Sequence, residues 1–393
     1  MAYNMEIHAW RDKTIPIMTI QPLPQLGGLS AAQFLREYWQ KKPLLIRDAF
    51  PGFHGLIALK DLFALTRNET VQSRLVQRRP DKWHLQHGPL AKKTLRELPA
   101  KNWTLLVQEL NLHVPAAAEL LQHFSFIPHA RLDDLMVSYA APGGGVGAHV
   151  DSYDVFLLQG EGKRRWEIAR QKDLSLVPDA PLKLLKKFTP QTEWTLGPGD
   201  MLYLPPNFAH KGTAINACTS YSIGFRAPSH QELATEFLVY LQDHIALTGM
   251  YSDPNLKPQK HAAEINRDML NQTADILKKI KYNQLVIASF LGKYLSEPKP
   301  YIFFDAPEEK ISEKTFFMRA RSRAVLLAPA SKLLFIKGQF FINGEEFYAD
   351  KAAQKFFTRL ADMRRAPLAP RPPAAVIARL CEWYNNGYVS FVP

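Results

Sequence analysis

Between Leu132 and Ala227 the chain runs through short apolar segments at nearly even spacing, divided by glycine and proline turns. They are Leu135 to Tyr139, Val155 to Gln159, Arg164 to Ala169, Trp194 to Leu196, Met201 to Leu204 and Tyr221 to Phe225. Runs of this kind, divided by turn residues, predict a barrel or a double-sheet jelly roll. Flanking segments have another character. Ser30 is placed to cap a helix carrying Phe34, Leu35 and Tyr38 on one side, and Lys42 to Arg47 reads as a buried strand.

After Pro228 the periodicity becomes helical. Leu233, Phe237, Leu238, Leu241 and Ile245 recur at three and four residues, as do Ile265, Met269, Leu270, Ile276, Leu277 and Ile280. Two such apolar stripes cannot bury each other completely, so the pair is expected to dock on the barrel or on a second copy of the chain. Beyond Glu297-Pro298-Lys299-Pro300, short strands, an Asn343-Gly344 hairpin turn and helices from Ala352 to Met363 and Ala374 to Tyr384 predict a winged-helix-like unit. The reading is thus an α+β chain of three parts: 1–228 barrel, 229–299 helical region and 300–393 winged-helix-like domain.

Inside the strand-rich region lie Gly147-Ala148-His149-Val150-Asp151 and, 59 positions after Asp151, His210 at the end of Pro205-Pro206-Asn207-Phe208-Ala209-His210. A His-x-Asp pair alone is common. Joined by a distant histidine that a Pro-Pro turn returns to the same rim, it has the linear form of a two-histidine, one-carboxylate facial triad. Such a triad holds iron(II) and leaves three coordination positions open, which points to a catalyst. His84, His87, His113, His123 and His129 have no carboxylate at ligand spacing and are read as solvated or core histidines.

Alternation through Lys163-Arg164-Arg165-Trp166-Glu167-Ile168 turns Arg164, Trp166 and Ile168 to one face, which the apolar members make the inner one. An inward guanidinium calls for a carboxylate to grip. The far carboxylate of 2-oxoglutarate, bound to iron through its ketone and first carboxylate, meets that need, and Ser138 on a neighbouring strand is placed to add a hydroxyl donor. The competing readings are a salt bridge from Arg164 to Asp154 or Asp200, and plain packing for Ser138. Asp154 is placed either to meet a cationic substrate side chain or to make a structural pair.

Composition narrows the class. A 46% hydrophobic, 22% charged chain is that of a globular protein. Two cysteines, Cys218 and Cys381, exclude a disulfide scaffold and a cysteine-based zinc site. Met1 to Trp10 lacks the apolar run of a signal peptide, and no stretch reaches the length of a membrane span, so a cytoplasmic location is expected. The net charge of +12 favours a polyanionic partner such as RNA, a ribosome or DNA, although basic enzymes without one are common.

The phrases His149-Val150-Asp151-Ser152-Tyr153-Asp154-Val155-Phe156, Gly162-Lys163-Arg164-Arg165-Trp166 and Pro198-Gly199-Asp200 through Pro205-Pro206, with His210, resemble the bacterial Jumonji-C ribosomal oxygenases of the cupin superfamily. Tyr221 to Pro228 and Tyr251-Ser252-Asp253-Pro254 match the same family. The resemblance implies a double-stranded β-helix, a helical dimerisation region and a C-terminal winged-helix-like domain. It implies iron(II), 2-oxoglutarate and O2, with metal ligands on His149, Asp151 and His210 and cosubstrate contacts on Arg164 and Ser138. It further implies a homodimer whose substrate is an arginine of ribosomal protein sixteen of the large subunit, hydroxylated at its β-carbon. The alternatives are hydroxylation of a ribosomal-protein histidine, as in human relatives, or a non-enzymatic cupin whose winged helix reads nucleic acid. For the enzyme, nucleic acid is a partner only through the ribosome, and no membrane is involved.

Overall fold

The computed structural model describes residues 26–391 apart from residue 81; the reading of Met1 to Trp10 lies outside them. The chain divides into two compact units, one ending at Phe225 and one beginning at Arg226.

The first unit contains strands β1 (Leu44–Ile46), β2 (Ser73–Arg78), β3 (Trp83–His87), β4 (Trp103–Val107), β5 (Leu132–Ala140), β6 (Asp154–Gln159), β7 (Arg164–Ala169), β8 (Thr192–Leu196), β9 (Met201–Leu204), β10 (Ala209–Ala214) and β11 (Cys218–Phe225). They form an eight-stranded sheet, in the order β1-β9-β6-β11-β5-β4-β2-β3, and a three-stranded sheet, β10-β7-β8. Every pairing is antiparallel, as the jelly-roll reading expects.

Strand β6 shows why its sequence is a continuous apolar run. Phe156 and Leu158 belong to a core shared with Phe34, Tyr203 and Phe225, while Val155 and Leu157 belong to a second core with Trp166, Ile168, Leu196 and Leu204. A strand covered on both faces has no polar side to display. Ser30 caps the helix Ala31–Glu37 through a capping box with Gln33, and that helix buries Phe34 edge-on to Tyr203 at 4.9 Å between ring centroids.

Two features depart from the sequence reading. Strands β2 to β4 extend the large sheet beyond the segments named above. His210 stands on a strand, β10, whose sequence Ala209-His210-Lys211-Gly212-Thr213-Ala214 has no apolar run to signal it. It forms by pairing with β7 residue for residue, from Ala209 opposite Ala169 to Ala214 opposite Arg164.

In the second unit, helices span His230–Gln242, Arg267–Leu277, Gln284–Ser296, Glu313–Ala320, Lys351–Met363 and Ala374–Asn385. The three-stranded sheets Leu333–Ile336, Gln339–Ile342, Glu345–Tyr348 and Arg365–Pro367, Ala324–Leu327, Val389–Phe391 complete it. Asn343 and Gly344 both have positive φ, as the predicted two-residue hairpin turn demands. Its core packs Phe316, Phe340, Phe357, Leu360 and Trp383. No helix among the described residues is long and apolar enough to cross a membrane.

Candidate metal and cosubstrate site

His149, Asp151 and His210 come together although none of the three shares a continuous strand with another. His149 lies outside the named strands and is held by an isolated antiparallel bridge to His210. Asp151 follows on the loop into β6. Its carbonyl accepts from the amide of Asn207 at 2.9 Å, which ties the Pro205-Pro206-Asn207 turn to the His-x-Asp segment. One ligand atom from each of the three side chains lies within 4.8 Å of the others. Asp151 Oδ2 is 3.6 Å from His210 Nε2 and 4.0 Å from His149 Nε2.

The imidazoles are oriented from behind. His149 Nδ1 lies 3.1 Å from the carbonyl of Gly147, and His210 Nδ1 lies 2.9 Å from that of Phe208. A carbonyl can only accept, so each Nδ1 carries the proton and each Nε2 presents a lone pair to the shared centre. Burial, then the neighbouring His149, pushes His210 down to about 4, keeping it neutral and ready to coordinate. Two imidazoles and one carboxylate, with no further side chain joining the cluster among the described residues, fit an iron(II) ion with open positions.

Arg164 is fully buried with its guanidinium 5.0 Å above the Trp166 ring, and that ring lies 6.0 Å from the imidazole of His210. Its Nη1 donates to Ser138 Oγ at 2.9 Å and to Ser220 Oγ at 3.4 Å, and its Nη2 to the carbonyl of Gly212 at 3.5 Å. Nε has no partner. Neither acid named as a possible salt-bridge partner reaches it. Asp200 pairs with Arg47 at 2.6 Å, and Asp154 pairs with Arg131 at 3.3 Å. A buried guanidinium supplied only with hydroxyls and a carbonyl, and with one N–H orphaned, is short of a negative partner. The cradle therefore fits the distal carboxylate of 2-oxoglutarate.

Sequence reasoning missed the remainder of this cradle. Ser220 on β11, opposite Ser138 on β5 and Gln159 on β6, donates to Gln159 Oε1 at 3.0 Å. Gly212 keeps its place because a Cβ there would stand 2.7 Å from both Arg164 Nε and the Trp166 ring. The alternation through Tyr221-Ser222 and the cross-strand register were the signals that would have found Ser220, but register is not written in a single strand.

Asp154 corrects the expectation that it meets substrate. It is fully buried, and its carboxylate accepts from the Tyr203 hydroxyl at 2.6 Å, from Gln40 Nε2 at 2.9 Å and from Arg131. The structural pairing is what the fold contains. At the mouth, the Tyr153 hydroxyl is held well above the ordinary tyrosine range by burial and by the nearby carboxylates of Asp151, Asp134 and Asp133.

Residues 119–233 match the model of the JmjC domain, and residues 283–390 match that of the ROXA-like winged helix. The chain is 33% identical to the ribosomal protein uL16 3-hydroxylase of Escherichia coli over 321 residues, covering 81% of this chain and 85% of that one. Among solved structures it is similar to YcfD of E. coli, with a TM-score of 0.82 at 30% identity, covering 94% of this chain and 99% of the other. The similarity extends to YcfD, a ribosomal oxygenase, in complex with cobalt and 2-oxoglutarate, with a TM-score of 0.81 at 29% identity over 93% of this chain and 99% of that one.

Proposed function

Because the chain belongs to the JmjC-domain ribosomal oxygenases, we propose that it hydroxylates an arginine of ribosomal protein uL16 at the β-carbon, using iron(II), 2-oxoglutarate and O2. The observation that carries the cosubstrate is the buried, carboxylate-free Arg164 on the wall that also bears the metal cluster. When bound, iron and 2-oxoglutarate supply the oxidising power for cleaving an unactivated C–H bond.

The chain's residues do the rest. His149, Asp151 and His210 are the proposed metal ligands, fixed by the carbonyls of Gly147 and Phe208. Arg164 and Ser138 are the proposed anchors of the distal carboxylate, with Trp166 setting the separation between anchor and metal. The apolar layer of Leu157, Trp166, Ile168 and Leu204 excludes water from the inner end of the barrel.

The proposal extends to a homodimer and a cytoplasmic location. The helices His230–Gln242 and Arg267–Leu277 leave Leu238 66% and Leu270 59% exposed, and the second helix buries none of its residues. Apolar stripes of that extent call for a partner surface, and a second copy supplies it.

The test is mass spectrometry of ribosomal proteins from cells with and without the gene, complemented with wild type or His149→Ala. One oxygen's mass on a single uL16 arginine peptide is expected only with the wild type. A modification that persists in cells lacking the gene, or that His149→Ala restores, would end this reading.

A further inference from the structure

We infer that the barrel carries an RNA phosphate-binding face beside its metal-binding residues, on the excursion between β7 and β8. The excursion, residues 170–191, folds back on itself: Leu176 bridges Leu185, the Val177 amide donates to the Leu184 carbonyl at 2.8 Å, and the Lys186 amide to that of Ser175 at 2.9 Å. It is fastened to the site at two points. The Leu185 amide donates to the carbonyl of Ala148, the residue before His149, at 2.9 Å. The Arg170 guanidinium lies 5.9 Å from the ring of Phe208, whose carbonyl orients His210.

This fastened hairpin is cationic. Arg170, Lys172, Lys183, Lys186 and Lys187 are all exposed, against only Asp173 and Asp179. Asp173 is engaged in its own turn, accepting from the amide and hydroxyl of Ser175 at 3.0 and 2.6 Å. The ion pairs of the adjoining strands, Lys211 with Glu167 and Arg165 with Glu193, use none of the five. Asp173 also interacts with Lys186 and Lys187, so five cations against two carboxylates leave an excess of three positive charges, and exposed cations in such excess hold only diffuse counterions whose release drives binding to a phosphate backbone.

The choice of polyanion rests on the proposed ribosomal-protein substrate. A ribosomal protein is met together with ribosomal RNA, and the phosphates of that RNA are the polyanion a cationic face attracts. The phosphates of that RNA then meet the lysines that flank Leu185, whose amide is fastened to the carbonyl of Ala148.

The test is fluorescence anisotropy of a labelled RNA hairpin with the full chain, in a salt series and without cosubstrate. K183Q/K186Q/K187Q is expected to weaken binding by about tenfold or more and to lower the slope of log Kd against log salt by about two to three. The charge-retaining K183R/K186R/K187R is expected to bind as the wild type does. The inference is overturned if wild type shows no salt-dependent RNA binding, if the glutamine variant matches it, or if poly-glutamate competes as well as RNA, which would assign the face to acidic peptides. Binding is read without turnover. A negative result here leaves the hydroxylase reading standing, and a failure of hydroxylation leaves the RNA result standing.

Discussion

His149 and His210, 61 positions apart in the chain, hydrogen-bond to each other through their backbones in both directions, His149 amide to His210 carbonyl at 3.0 Å and the reverse at 2.9 Å. One two-residue bridge thus sets the distance between both imidazoles, whose ring centroids lie 4.2 Å apart. The metal site is in this sense a product of β10 pairing with β7 and closing over the His-x-Asp loop.

Replacing a proposed metal ligand should separate metal binding from folding. His210→Ala is expected to lower cobalt(II) affinity by on the order of a hundredfold or more, since even losing an outer partner of a ligand costs tenfold to a hundredfold. Titration calorimetry with cobalt(II) reads this directly. Unchanged affinity would remove His210 from the ligand set.

Arg164 makes two opposed predictions. Arg164→Lys keeps charge but loses the fork, so KM for 2-oxoglutarate should rise about 10–100-fold, or ~1.4–2.8 kcal/mol, with cobalt affinity retained. Arg164→Met should leave the ligand-free protein at least as stable as wild type in urea denaturation, because it removes a buried cation that has no carboxylate. A large loss of stability would show that Ser138, Ser220 and the Gly212 carbonyl satisfy the guanidinium by themselves.

Gly212→Ala places a methyl 2.7 Å from Arg164 Nε and from the Trp166 ring. The rings and the backbone of two paired strands must give way, at about 1–3 kcal/mol. Loss of 2-oxoglutarate affinity should accompany the fall in urea midpoint, whereas a variant with normal affinity would dissociate Trp166 from cosubstrate positioning.

Asp154→Asn leaves the Tyr203 hydroxyl, Gln40 and Arg131 facing a neutral amide. The expected cost is about 1–3 kcal/mol of stability, with little change in KM for the protein substrate below the unfolding temperature. A raised KM with intact stability would return Asp154 to substrate binding.

Leu238→Glu, on the exposed stripe of the helix His230–Gln242, should convert the proposed dimer to monomer in sedimentation velocity. A wild-type chain that sediments as a monomer at micromolar concentration would refute the dimer outright.

The sequence by itself determined the jelly roll, the residues of the triad and the inward cation. Strand alternation and turn residues are local properties, and Arg164 breaks the apolar pattern of its own strand, where Trp166 and Ile168 share its face. Only the tertiary structure decided which acid goes where. Asp154 and Asp200 were equal candidates for Arg164 on paper, yet Arg131 and Arg47 take them, because partner choice depends on which strands lie side by side. The same holds for His210. Its strand has no apolar signature, so its place beside His149 comes from hydrogen-bond register across two segments, and long-range register is a property of the assembled sheet.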